Sequence, residues 1–156
     1  MALKFSTALL NAVNNSIRTA LATGAIYVYS GTQPANADAA PTGTLLGIVT
    51  VGAGAWTAPG SVSNGLHFAA SSAAVLNKSD SETWQMVGIA TGTAGWFRFV
   101  SGVAADSLTT DVSTYPRIDG RISTSGAECN LSSLAIVTGA TTTLDSFQIS
   151  WPASLQ

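Results

Sequence analysis

From Gly24 onward the chain is written as short runs of Val, Ile, Thr and aromatic residues, each cut off by Gly, Pro, Asn or Asp. Runs of that length suit a pleated strand with one buried face, and the punctuation between them suits turns. The candidate strands are 25–30, 44–51, 66–70, 83–90, 94–101, 117–123, 131–137 and 143–151. Eight such segments predict a mainly β fold, an antiparallel jelly-roll-like β-sandwich over residues 25–156. Alternation is sharpest in Trp96-Phe97-Arg98-Phe99-Val100 and in Leu144-Asp145-Ser146-Phe147-Gln148-Ile149-Ser150-Trp151. There one face is apolar and the other polar or cationic, so Trp96 and Trp151 are expected to be buried.

Ahead of the strands the period changes. Phe5, Leu9, Val13, Ile17 and Leu21 recur every four residues and, joined by Leu10 and Ala20, form one broad apolar face, which predicts an amphipathic helix within residues 1–24. Ser6 is placed to cap its start and Gly24 its end. Asn11, Asn14, Asn15 and Arg18 would form the solvent face, with the apolar stripe packed on the domain. Helix and strands are expected to share one core, since 156 residues suffice for a single domain. The N-terminal stretch is too interrupted by Asn and Arg for a secretory signal.

Thr-Gly stands before four of the strands, at residues 23–24, 42–43, 91–92 and 138–139, and a glycine with positive φ would explain each. Residues 31–43, with two prolines, read as an extended loop, and 102–116, carrying Asp106 and Asp111, as a second one. Residues 39–77 hold no Asp, Glu, Lys or Arg. Pro41, Pro59 and six glycines break that stretch well short of a membrane span.

Charge is scarce throughout. Six Lys and Arg and eight Asp and Glu make up 9% of the chain, against about 25% in ordinary globular domains. Six scattered cations give no field for nucleic acid. A surface so weakly charged and rich in small residues suits a protein packed against neighbours.

Catalytic chemistry is poorly provided for. The one histidine, His67, has no serine-elbow motif to serve, and its pairing with the one cysteine, Cys129, would need the fold to bring them together. Gly52-Ala53-Gly54 begins like a phosphate loop, but Thr57 stands where the third glycine belongs. Asp80 and Glu82 are the only carboxylates close in sequence, and their Ser-rich surroundings read as a solvated turn. A lone thiol allows neither a disulfide nor a thiolate metal site. No catalytic residue, metal or cofactor is therefore expected, and the chain is read as a non-enzyme. Trp56 and Tyr115, beside Gly or Pro in loops, are the better placed aromatics for contact with a partner.

Four stretches carry a resemblance: LKFSTALLNAV, IYVYSGTQPANADAAPTGTLLGIVT at 26–50, ATGTAGWFRFV at 90–100, and the segment from RIDGRISTSG to TLDSFQIS at 117–150. Together they resemble a family of small proteins encoded by tailed bacteriophages and prophages. The resemblance implies a virion protein with no assigned activity, so it brings no catalytic residues to this chain. Gln33 and Pro34 of the YSGTQP motif join Trp56 and Tyr115 as candidate contacts. Arg121 joins them because it follows Asp119-Gly120 where a small polar residue is expected in relatives.

The implied role is a capsid decoration or cement protein, bound to the major capsid protein in homo-oligomeric clusters such as trimers, and located on the virion after synthesis in the bacterial cytoplasm. The helix or the 31–43 loop would be the anchor. Neither nucleic acid nor membrane is expected as a partner. The alternatives are a tail or baseplate structural protein, a carbohydrate-binding module for host contact using Trp56 and Tyr115, and a cell-wall hydrolase using Glu82 or His67.

Overall fold

The computed structural model describes residues 3–58, 63–103, 106, 108, 113–152 and 155. Among these, one helix, α1 (Thr7–Ala20), precedes nine strands: β1 (Ala25–Ser30), β2 (Leu45–Val51), β3 (Val75–Asn77), β4 (Trp84–Val87), β5 (Gly92–Val100), β6 (Arg117–Ser123), β7 (Cys129–Leu131), β8 (Ala135–Ile136) and β9 (Thr141–Ser150). The protein is mainly β, as the runs of β-branched residues require. No described helix is long and apolar enough to cross a membrane. Asp111 of the second loop lies outside the described residues.

The strands do not form the expected sandwich. Hydrogen bonding runs β1-β2-β4-β9-β7-β6-β5, and β5 returns to β1, closing a barrel of seven strands. β1 is the closing element because both of its edges are used. Ile26 faces Val49 of β2 on one side and Phe99 of β5 on the other. A sandwich and a small barrel share the same inward-outward alternation, so the difference lies in pairing and not in pattern. β3 backs β9, and β8 pairs with the start of β5. Among the described strands all pairings are antiparallel except β6 with β7, and an isolated bridge between Gly88 and Thr138 is also parallel.

Inward side chains of every wall meet in an aromatic cluster. Phe68, Trp84, Phe97, Phe99 and Phe147 pack with ring centroids 5.2–6.2 Å apart, mostly edge-on or tilted. Ile26, Val28, Val49, Met86, Cys129, Leu131 and Leu144 complete the core.

On the wall of β1, β5 and β6 the outward face is buried too. Residues Trp96 to Val100 are all buried, because the loops after β1 and β5 lie over them. Tyr29 stacks on Trp96 at 4.6 Å, and Arg98 sits over the same indole. Arg98 forms a bidentate pair with Asp119, its register partner on β6, at 2.8 and 2.7 Å. Their side chains are 0% and 2% exposed. Arg117 pins both loops: its Nε and Nη2 donate to Asp106, and its Nη1 to the carbonyls of Ala37 and Asp38. Asp106 of the second loop is thus tied to β6 through Arg117.

α1 closes the end of the barrel where β1 and β6 begin and β9 finishes. Ser6 caps it as expected, its Oγ accepting from Leu9 N–H. At the other end the left-handed residue is Thr23, not Gly24. Gly24 is extended, and a Cβ there would collide with Val100 O at 2.2 Å and the Phe99 ring at 2.5 Å. Of the four Thr-Gly glycines, only Gly43 and Gly139 have positive φ. The other two are selected for close approach.

The helix is turned partway from the orientation expected: Asn15 and Arg18 are exposed as predicted, but Asn14 goes inside and Leu9 and Val13 do not. Leu10, Asn14 and Leu21 are buried, with Ile17 partly so, while Leu9 and Val13 are 47% and 37% exposed. Relative to the 9–13 stripe the buried line 10–14 is turned by one residue, about 100°. The reason is the irregular segment between Phe68 and Val75, whose backbone has few ladder partners and needs donors and acceptors. Asn11 Oδ1 accepts from Ala74 N–H, Asn15 Oδ1 from Ser71 N–H, and Arg18 Nε donates to Phe68 O. Asn14, 0% exposed, donates to Ser71 Oγ and accepts from Trp151 Nε1. A leucine face could satisfy none of these groups.

Candidate interaction surface

That turn buries Asn14 and leaves Leu9 and Val13 exposed on α1. Phe5, Leu9, Leu10, Val13 and Trp151 enclose a hollow of about 250 Å³, with Leu3, 68% exposed, beside it. Farther along the helix Ile17, Ala20 and Leu21 line a second depression with Pro116, Arg117 and Ile118. Ile118 also lines a larger groove of about 340 Å³ between β6 and β9. Its floor is Phe97, Ile118, Phe147 and Ile149, and its rim carries Gln33, Arg121, Glu128 and Ser150. A third group of apolar side chains, Val87, Ile89 and Val137, is exposed at the barrel end away from α1.

Two of the five candidate contacts meet at that groove. Gln33 is exposed on the rim, and Arg121 stands opposite Glu128 at 3.6 Å with most of its side chain in solvent. Pro34 follows Gln33 in the loop and is half-buried, as is Tyr115, just before β6. Trp56 is elsewhere. Its Nε1 donates to Thr23 O at 2.8 Å and its ring meets Tyr27 edge-on at 6.2 Å, so it braces the helix end rather than offering an open platform.

The residues considered for catalysis are used structurally. His67 Nδ1 and Glu82 Oε1 lie 2.7 Å apart, and Glu82 Oε2 accepts from His67 N–H and from Trp84 Nε1. Glu82 is therefore no solvated turn residue; both of its oxygens hold the entrance to β4, while Asp80 is exposed. Cys129 is fully buried in the core, where desolvation and the Glu128 charge push its thiol pKa up and away from thiolate chemistry. His67, by contrast, lies partly exposed in a depression with Arg18 and Thr19. Among the described residues no three His, Cys, Asp or Glu side chains gather so as to hold a metal ion.

The covered wall is electrostatically settled. Desolvation drives the Tyr29 phenol up to about 12, only partly opposed by the Arg98 charge. At Asp106 desolvation also pushes the pKa up, but hydrogen bonds from Arg117 and Leu108 N–H, with the Arg117 charge, outweigh it and hold the carboxyl below the usual range. Trp96 Nε1 and Arg98 Nη1 are buried there without a hydrogen-bond partner among the described residues.

Fold and surface together define a small helix-plugged β-barrel with uncovered apolar faces. Comparison with family models, curated proteins and solved structures finds no match.

Proposed function

We propose that this chain is a non-enzymatic structural protein of a tailed-phage particle, a decoration or cement protein that stabilises the head by contacts with the major capsid protein. The observation that supports it most is the orientation of α1. Its asparagines fasten it to its own barrel, and Leu3, Leu9 and Val13 are left exposed with no described residue covering them. Such a patch weakens solubility unless a partner covers it. Low charge allows many copies to sit side by side without strong repulsion, and binding the assembled lattice better than free subunits stabilises it by mass action. Homo-oligomeric clusters would add avidity.

The test is the double change Leu9→Ser with Val13→Ser. Both side chains are at the surface, so stability should move by no more than about 0.5 kcal/mol. Occupancy on purified particles should fall at least about tenfold if two desolvated anchors are lost, since each contributes on the order of 1 kcal/mol or more. Unchanged occupancy would remove the helix as anchor. Particles lacking the protein should also rupture sooner under chelator or salt.

A tail or baseplate position is the second reading, favoured by Val87, Ile89 and Val137 at the far end of the barrel. Apolar groups at both ends suit end-to-end stacking into rings or tubes. Locating the protein in particle images separates the two positions.

A further inference from the structure

We propose that the groove between β6 and β9 is an unfilled strand position that takes an extended, uncharged peptide segment by β-augmentation. β7 fills only one half of that position. It pairs with β6 at Ile122 and Ser123 and with β9 between Leu144 and Phe147. Toward the α1 end, residues 117–121 of β6 pair with β5 on one edge and, among the described residues, with no strand on the other. Residues 148–150 of β9 pair with β3 on one edge; on the other, Gln148 N–H donates to Glu128 O at 2.9 Å, and no strand follows. Here two unpaired edges face a groove of about 340 Å³.

Both walls of the gap are backbone, which selects the occupant. Unpaired N–H and C=O groups on both edges are matched in full only by a chain that brings its own alternating donors and acceptors. The five residues of β6 give a length of about 16 Å. The floor of Phe97, Ile118, Phe147 and Ile149 calls for apolar side chains at alternate positions. Charge narrows it further. Asp119 is bound by Arg98 and Arg121 stands by Glu128, so the lining presents no unbalanced charge and a neutral segment is the complement. The inference stands independently of the virion reading, because it concerns the form of the partner segment and not its source.

The probe is the peptide acetyl-Ser-Val-Thr-Val-Ser-Val-Thr-amide, added at up to millimolar concentration to the full chain labelled with ¹⁵N. Amide exchange should slow by about tenfold or more at Ser150 and at those residues of 118–121 whose N–H faces the groove, as when an exposed edge acquires a partner. A peptide of the same composition with proline at its centre should not do so. Ser150→Trp and Gln33→Trp, two exposed rim positions on different elements, should each abolish the protection by filling the groove. No slowing at millimolar peptide, slowing that survives both tryptophans, or slowing confined to Leu9 and Val13 on α1 would each overturn the proposal. Particle association of the protein is read separately, so loss of either result leaves the other interpretable.

Discussion

β6 has two unlike edges. Along the first, residues Arg117 to Arg121 face β5 in unbroken register, and across from them Trp96 to Val100 of β5 are buried on both faces. Along the second, the same residues face a groove. The strand is one sequence with one alternation, so the difference comes from what lies across from it. On the wall side, Arg98 and Arg117 fix Asp119 and Asp106 and draw two loops over the sheet. On the groove side, the Arg121–Glu128 pair is open to solvent and long at 3.6 Å, a geometry worth little. Buried paired charge makes one edge rigid, and its absence leaves the other available.

The largest expected effect comes from breaking the covered wall. Arg98→Leu leaves Asp119 buried beside an apolar side chain and should destabilise by about 3–5 kcal/mol, read by urea unfolding. Adding Asp119→Leu should return most of that loss, because the ion pair as a whole is paid for in desolvation and Arg98 Nη1 already lacks a partner among the described residues. If the double variant were no more stable than the single, the pair would be holding the wall by more than mutual neutralisation. The same double change on the groove side, Arg121→Ala with Glu128→Ala, should shift stability by less than about 1 kcal/mol.

A middle effect is expected where α1 meets the groove's lower end. Asn14→Ala strands Trp151 Nε1 and removes a donor to Ser71, and a buried donor left unmade costs about 1–3 kcal/mol. Thermal unfolding measures that loss. Tryptophan fluorescence should change at the same time, since Trp151 is the ring that loses its acceptor. A fall in stability without any change at Trp151 would place Asn14's contribution in the Ser71 bond alone.

Which of these contrasts could be read from the residues alone depends on whether they are local. β1 and β6 have the expected bounds, and β5 and β9 lie within two residues of theirs, because inward and outward residues alternate cleanly. The 131–137 strand divides into β7 and β8 at Ser132 and Ser133, and 66–70 makes only isolated bridges through Leu66 and Phe68. β3 was not expected: three residues among Ala, Ser and Asn carry no period. Barrel closure depends on β1 finding β5, some seventy residues away, which no window reveals. The face of α1 was legible as amphipathic but its direction was not. Leu10 and Leu21 do go inside, but the polar demands of a distant irregular segment bring Asn14 in with them and leave Leu9 and Val13 out. Of the candidate contacts, Gln33 and Arg121 converge on the groove, while its floor, Phe97, Ile118, Phe147 and Ile149, reads as core in the sequence and does serve the core.

The smallest expected effect, and one of opposite sign, lies in the turn that leads into β3 and so backs β9 on its paired edge. Ser72 and Val75 exchange both backbone bonds across Ala73 and Ala74, whose φ values are 51° and 62°. Two left-handed residues in that place suit Asn-Gly, and alanine is strained at either. Ala73 is exposed, so Ala73→Asn should relieve strain with no loss of packing and stabilise by about 0.5–1 kcal/mol. Ala74 is buried under Asn11, so Ala74→Gly loses a packed methyl and gains chain entropy on unfolding, and should bring little or nothing. Urea midpoints of the two variants decide the matter. Equal stabilisation would mean that the methyl of Ala74 contributes nothing to how α1 sits on the barrel, whereas the predicted inequality ties the turn, the helix and the β3-backed edge of β9 into one unit opposite the open groove.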